Sequence, residues 1–124
     1  MTNPRVLLVE DEVISQKLVC ALLAKLPVEV TVVATAEEAH IALAENKYEL
    51  IILDVQLPGI SGIELAKEIR SSEKGGAKHT LIVALTGMSS EEDRKACIES
   101  GMDGFFSKPL NRMKFHDFLK KVLK

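Results

Sequence analysis

The chain has 124 residues, 47% of them hydrophobic, with a net charge of −2, a length that fits one domain and excludes an unstructured polypeptide. Its pI of about 5.9 argues against a nucleic-acid binder, which needs a basic face. Its apolar runs are far too short to cross a bilayer, and the amino terminus lacks the long apolar core of a signal peptide, so a cytoplasmic location is expected.

Residues 5–10 (RVLLVE) are a Val- and Leu-rich run that stops at acids. Leu18, Val19, Leu22, Leu23 and Leu26 form an i, i+4 stripe that predicts a helix over 13–26, ended by Pro27. The β-branched segment 28–34 reads as a strand. The Ala-rich segment 36–46 reads as a helix, with Thr35 placed to cap it. ELIILD (49–54) is a second apolar run ending in an acid, followed by a loop with Pro58, Gly59 and Gly62. A helix is expected over 63–72, closed by the polar stretch SSEKGGAKH. TLIVALT (80–86) is the next strand. Gly87 breaks it, Ser90 is placed to cap a helix over 91–100, and Gly101 stands as its C-terminal glycine. A short strand follows at 104–107. The last helix is expected over 111–123, with Phe115, Phe118, Leu119 and Val122 on one face.

Five strands thus alternate with five helices. Continuous hydrophobic strands belong to a parallel sheet covered on both faces. Strict alternation with short connections gives a doubly wound α/β fold. The predicted class is a flavodoxin-like (βα)5 domain with strand order 2-1-3-4-5, occupying residues 1–124 as one unit.

Ligands of such folds bind beyond the carboxyl ends of the strands. Strand one ends in Glu10, Asp11 and Glu12, strand three in Asp54, strand four in Thr86 and Gly87, and strand five in Ser107, Lys108 and Pro109. Glu10, Asp11 and Asp54 would converge there. Three carboxylates raise one another's pKa, and a hard divalent cation such as Mg²⁺ offsets that repulsion. Lys108 adds a positive charge, Thr86 a hydroxyl, and Gly87 an open backbone N–H. Together they form a cradle for a phosphoryl group passing to a carboxylate nucleophile, with Asp54 as acceptor. Each residue alone has a plainer reading. Asp11 and Asp54 fit helix caps or turns, Lys108 a solvated turn, and Thr86 a strand-forming residue. The argument rests on their joint placement at successive strand ends. His40, His79 and His116 have no ligand spacing and read as surface or boundary residues. Cys20 and Cys97 read as small packing residues, and residues 91–95 as a solvated helix face.

VLLVEDE, LIILDVQLPGISGIEL, IVALTG and GMDGFFSKPL, in that order and spacing, resemble the response-regulator receiver domain of two-component signalling over nearly the whole chain. The resemblance implies that Glu10 and Asp11 hold Mg²⁺ (or Mn²⁺) with Asp54 and the backbone carbonyl of Gln56. It implies that Asp54 is the phosphoacceptor, Lys108 the phosphate-pairing lysine before a cis Pro109, Thr86 the switch hydroxyl and Phe105 the switch aromatic. Two positions depart from the usual pattern. Glu10 stands where many members carry Asp, and Phe105 where many carry Tyr, so switching at Phe105 would be by packing alone. The implied partner is a histidine kinase or histidine phosphotransfer domain, docking near Ile14 and Lys17. Homodimerisation on phosphorylation is a further expectation, and contact with nucleic acid or membrane is not expected. The isolated domain is expected not to be an enzyme in its own right. GMDGFFSKPL and DVQLPGISG are also similar to receivers of hybrid kinases, in which case the parent would be a histidine kinase. Two other functions compete. A degenerate receiver used only as a scaffold is disfavoured by the complete acid, Thr and Lys set. An aspartyl-phosphate hydrolase would need a second acid where Gln56 stands.

Overall fold

The computed structural model describes residues 3–57, 61–73, 80–87, 91–108 and 110–123. Ten elements alternate along them: β1 Arg5–Val9, α1 Val13–Leu23, β2 Glu29–Val33, α2 Ala36–Glu45, β3 Leu50–Asp54, α3 Gly62–Ser72, β4 Leu81–Thr86, α4 Glu91–Glu99, β5 Gly104–Ser107 and α5 Arg112–Val122. The strands form one sheet in the order β2-β1-β3-β4-β5, with every pairing parallel, as the alternation predicts. The expectations for Pro58, Gly59, His79, Ser90 and the Pro109 peptide lie outside the described residues.

Side chains alternate across a strand, so each apolar run supplies both faces of the sheet. Leu7, Val9, Ile51, Leu53, Ile82 and Ala84 pack on one side with Leu65 of α3, Ala39 of α2 and Cys97 of α4. Val6, Leu8, Leu50, Ile52, Val83 and Leu85 pack on the other with Val19 and Leu23 of α1 and Phe115 and Leu119 of α5. Phe106 of β5 meets Phe115 and Phe118 edge-on, at 5.0 and 5.3 Å between centroids. This is why residues 6–9 of β1 and 50–53 of β3 are apolar throughout, whereas β2, at the sheet edge, is half exposed.

Local chemistry sets the helix boundaries. Thr35 Oγ1 accepts from the Glu38 amide at 3.1 Å and caps α2. Ser61 does the same for α3 and Asn111 for α5. Gly101 follows α4 with φ of +103°, a conformation that favours glycine. α1 stops three residues short of the predicted end, although Leu26 continues the stripe. Pro27 disfavours helical backbone at the residue before it. The chain tightens instead, through Lys25 N–H to Leu22 O and Leu26 N–H to Leu23 O. Cys20 and Cys97 are unpaired by any disulfide, the first half-buried and the second buried, and burial pushes both thiols up.

Candidate functional site

The parallel register brings the ends of β1, β3, β4 and β5 to one rim. Val9 pairs with Leu53, Asp54 with Leu85, and Thr86 with Ser107. The residues that follow β1, end β3 and β4, and follow β5 therefore stand side by side. Glu10 is tied there from two sides: its N–H donates to Val33 O at 3.0 Å, and its carbonyl accepts from the Gln16 side-chain amide. Lys108 is fixed by its backbone N–H, which donates to Thr86 O at 2.7 Å.

One carboxylate oxygen from each of Glu10, Asp11 and Asp54 lies within 4.8 Å of the other two. Glu10, Asp54 and Thr86 are buried, while Asp11 faces solvent. Lys108 Nζ reaches Glu10 Oε1 at 2.8 Å, Asp54 Oδ2 at 3.5 Å and Glu12 Oε1 at 3.6 Å. Asp54 Oδ1 accepts from the Gln56 N–H at 3.0 Å, a turn contact that fixes the carboxylate. A Cβ at Gly87 would meet nothing within 4 Å among the described residues. Asp11 is not a helix cap, because the residue before α1 is Glu12, and Glu12 makes no side-chain capping bond.

Charge follows from this geometry. Burial, with Asp54 beside it, pushes the Glu10 carboxyl up to about 7 despite the lysine. Burial works to lower Lys108, but the carboxylates of Glu10, Asp54 and Glu12 outweigh it and hold the ammonium above its usual value. Glu12 is held low by the Ser15 hydroxyl, and then by Lys108. Glu10 Oε2 is buried and has no hydrogen-bond donor among the described residues, the Asp54 carboxyl being its neighbour. A bare carboxylate oxygen in a cluster of acids is costly, and a divalent cation is the group that suits it. The donor set is all oxygen, as Mg²⁺ or Mn²⁺ requires.

Phe105 lies outside this cluster. It pairs with Ala84 in β5, so it shares a sheet face with Thr86. Its ring packs half-buried against the core, and the Arg94 guanidinium of α4 sits 5.8 Å from its centroid. Three participants escaped the sequence reading. Glu12 was seen only as one more acid, yet it holds Lys108. Ser15 steadies Glu12 at 2.6 Å. Arg94 was read as part of a solvated face. The EDE run was the available signal for Glu12; nothing in the sequence pairs residue 94 with residue 105.

An acid cluster faced by one lysine, at the strand ends of a doubly wound 2-1-3-4-5 sheet, is an arrangement suited to a divalent cation and a phosphoryl group. Residues 6–120 match the response regulator receiver domain, and the chain belongs to that family. A hybrid signal transduction histidine kinase of Dictyostelium discoideum is 33% identical over 116 residues, covering 90% of this chain and 7% of the kinase. The receiver domain of a sensor histidine kinase from Pseudomonas aeruginosa, with magnesium coordinated in its active-site cleft, is 30% identical. It superposes with a TM-score of 0.84 over 98% of both chains. The Saccharomyces cerevisiae receiver domain of the response regulator Ssk1, crystallised with the histidine phosphotransfer protein Ypd1, is 34% identical. Its TM-score is 0.84, over 98% of this chain and 87% of that one. The chain spans between 7% and 50% of the length of three curated relatives it matches. No helix among the described residues is long and apolar enough to cross a membrane.

Proposed function

We propose that residues 1–124 form one receiver domain that accepts a phosphoryl group on Asp54 from a phosphohistidine donor. The observation that carries this reading is the cluster itself: three carboxylates within 4.8 Å, one bearing a buried oxygen without a hydrogen-bond donor among the described residues, faced by Lys108. Glu10, Asp11, Asp54 and the Gln56 carbonyl would hold Mg²⁺ or Mn²⁺. When bound, the metal neutralises the acids and offers a position for a phosphoryl oxygen.

The chain's own groups do the rest. An Asp54 oxygen attacks phosphorus in line. The P–N bond breaks, and its electron pair returns to the imidazole nitrogen, which takes a proton. The new acyl phosphate bears more negative charge than the carboxylate it replaces, and Lys108, already 3.5 Å from Asp54, pairs with it. Thr86 donates its hydroxyl to a phosphoryl oxygen, and Phe105 repacks toward the space Thr86 leaves. Two packings of the surface around α4, β5 and α5 are thereby exchanged, a population shift. The partner is a histidine kinase or histidine phosphotransfer domain, a reading supported by the yeast complex above. The domain acts in the cytoplasm, touches neither nucleic acid nor membrane, and is not an enzyme outside a larger kinase. Homodimerisation would follow phosphorylation.

Intact-mass measurement after incubation with acetyl phosphate tests the reading. One added phosphoryl is expected in the presence of Mg²⁺ and none after chelation. Asp54→Asn should fold as wild type and gain no mass; incorporation equal to wild type in that variant removes Asp54 as the acceptor.

A further inference from the structure

Phe105, the aromatic that the switch would move, has an unusual neighbour. In β5 it lies directly across from Ala84 of β4, the smallest side chain of that strand, on the sheet face it shares with Thr86. Its ring is half-buried against a cluster that includes Ala84, Cys97 and Met102. Over it stands Arg94, an exposed residue of α4, with the guanidinium carbon 5.8 Å from the ring centroid. Arg94 makes no ion pair among the described residues, although Glu91 lies three positions before it on the helix. Its neighbour Lys95 does make one, at 4.0 Å from Glu99. A phenyl ring has no hydroxyl with which to bond elsewhere. The guanidinium is therefore the polar contact that distinguishes one position of this ring from another.

We propose that Arg94 is a positioning residue for the switch: its charge on the Phe105 ring holds the resting packing and opposes the phosphorylated one. The inference rests on the reading that Phe105 repacks when Thr86 moves toward a phosphoryl group. Cation–π attraction belongs to separations within about 6 Å, so at 5.8 Å the contact stands at the end of its range. Arg94 is exposed and Thr86 fully buried. Movement of the ring into space that Thr86 vacates thus carries it inward, away from the cation, and about an ångström of such movement forfeits the contact. An arginine could instead act through solvent, by attraction to the new phosphoryl charge. That effect is screened over distance and has the opposite sign, favouring the phosphorylated packing. At an exposed site a cation–π contact shifts a two-state equilibrium by roughly two- to fivefold.

The test uses the full chain, with beryllofluoride and Mg²⁺ as the probe of the phosphorylated packing and ring carbon–proton spectra to follow Phe105. Arg94→Met keeps an unbranched, helix-compatible side chain and removes the charge. It should bind beryllofluoride roughly two- to fivefold more tightly than wild type. Its unliganded Phe105 signals should lie part of the way toward their beryllofluoride-bound positions. Arg94→Lys restores a cation and should return the affinity toward wild type. In a Phe105→Leu background, which has no ring, Arg94→Met should leave the affinity unaltered. Three results would overturn the inference. One is an affinity in Arg94→Met equal to or weaker than wild type, the second of which would assign Arg94 to attraction of the phosphoryl charge. Another is Arg94→Lys matching Arg94→Met. The third is the same tightening in the Phe105→Leu background. Wild type and Arg94→Met should each take one phosphoryl from acetyl phosphate. Labelling with unchanged beryllofluoride affinity removes only the role of Arg94, whereas a wild type that takes up none removes the phosphoacceptor reading and this inference with it.

Discussion

At the residue scale the informative group is Glu10. Its carboxyl lies at about 7, against an ordinary 4.5, because it is buried beside Asp54. A folded-state pKa above the unfolded value means the native state holds the extra proton between those limits. The associated stability is full below about pH 4.5 and is lost as pH rises through about 7. Metal-free protein should therefore melt at a lower temperature at pH 8 than at pH 6, with on the order of 1 kcal/mol lost between them. A divalent cation needs the ionised carboxylate, so Mg²⁺ should stabilise more at pH 8 than at pH 6. Melts in chelator and in Mg²⁺ across this range check both trends, and Glu10→Gln should flatten both. A wild-type profile equally flat in chelator would show that Glu10 ionises normally. Lys108→Ala removes a cation 2.8 Å from Glu10. Mg²⁺ should then bind severalfold more tightly, since a like charge has gone, while the surface change on phosphorylation is lost. Titration calorimetry and amide spectra with and without beryllofluoride read the two effects separately; an unaltered spectral response would make Lys108 a bystander.

At the element scale the site depends on how closely α3 seats on the end of β3. Gly62 opens α3 and donates its N–H to Val55 O at 2.9 Å. A Cβ there would stand 2.3 Å from Asp54 O and 2.7 Å from Val55 Cα, both backbone atoms. Gly62→Ala must therefore move the helix or the strand end that carries the acceptor. Overpacking of this kind costs roughly 1–3 kcal/mol. Urea denaturation should show that loss, and acetyl phosphate labelling should slow; wild-type values of both would mean the rim relaxes freely. The sequence pattern placed Gly62 in a loop and could say no more, because the approach involves a backbone eight residues away. What it did reveal was whatever is local. Apolar runs marked the strands, Thr35 marked a cap, and Glu10, Asp11, Asp54, Thr86 and Lys108 were legible as strand-end residues. A parallel sheet converts that position into proximity. The links of Lys108 to Glu12 and of Arg94 to Phe105 were not legible, since each depends on side chains crossing between elements.

At the scale of the whole molecule, chemistry and anchoring occupy opposite ends of the sheet. Around the start of β4, Arg70 of α3 donates from Nε to Gly101 O at 2.9 Å, and pairs with Glu73 and Asp103 at 2.7 Å each. Both carboxylates are themselves committed to backbone. Glu73 Oε2 accepts from Thr80 N–H and Asp103 Oδ2 from Ile82 N–H, each at 2.9 Å. Burial works to raise Glu73, but the Thr80 amide and Arg70 outweigh it and hold its carboxyl low. With Arg70 only 16% exposed, these charge-assisted bonds escape most solvent screening. Arg70→Ala strips a partner from two carboxylates and should cost about 2–4 kcal/mol. The same substitution leaves β1, the end of β3 and Lys108 untouched. The variant should thus unfold at lower urea, yet below its transition take up phosphoryl from acetyl phosphate at the wild-type rate. A labelling rate that falls in step with stability would mean the two ends are coupled through β4, and that Thr86 is positioned partly by a clamp at the far end of its own strand.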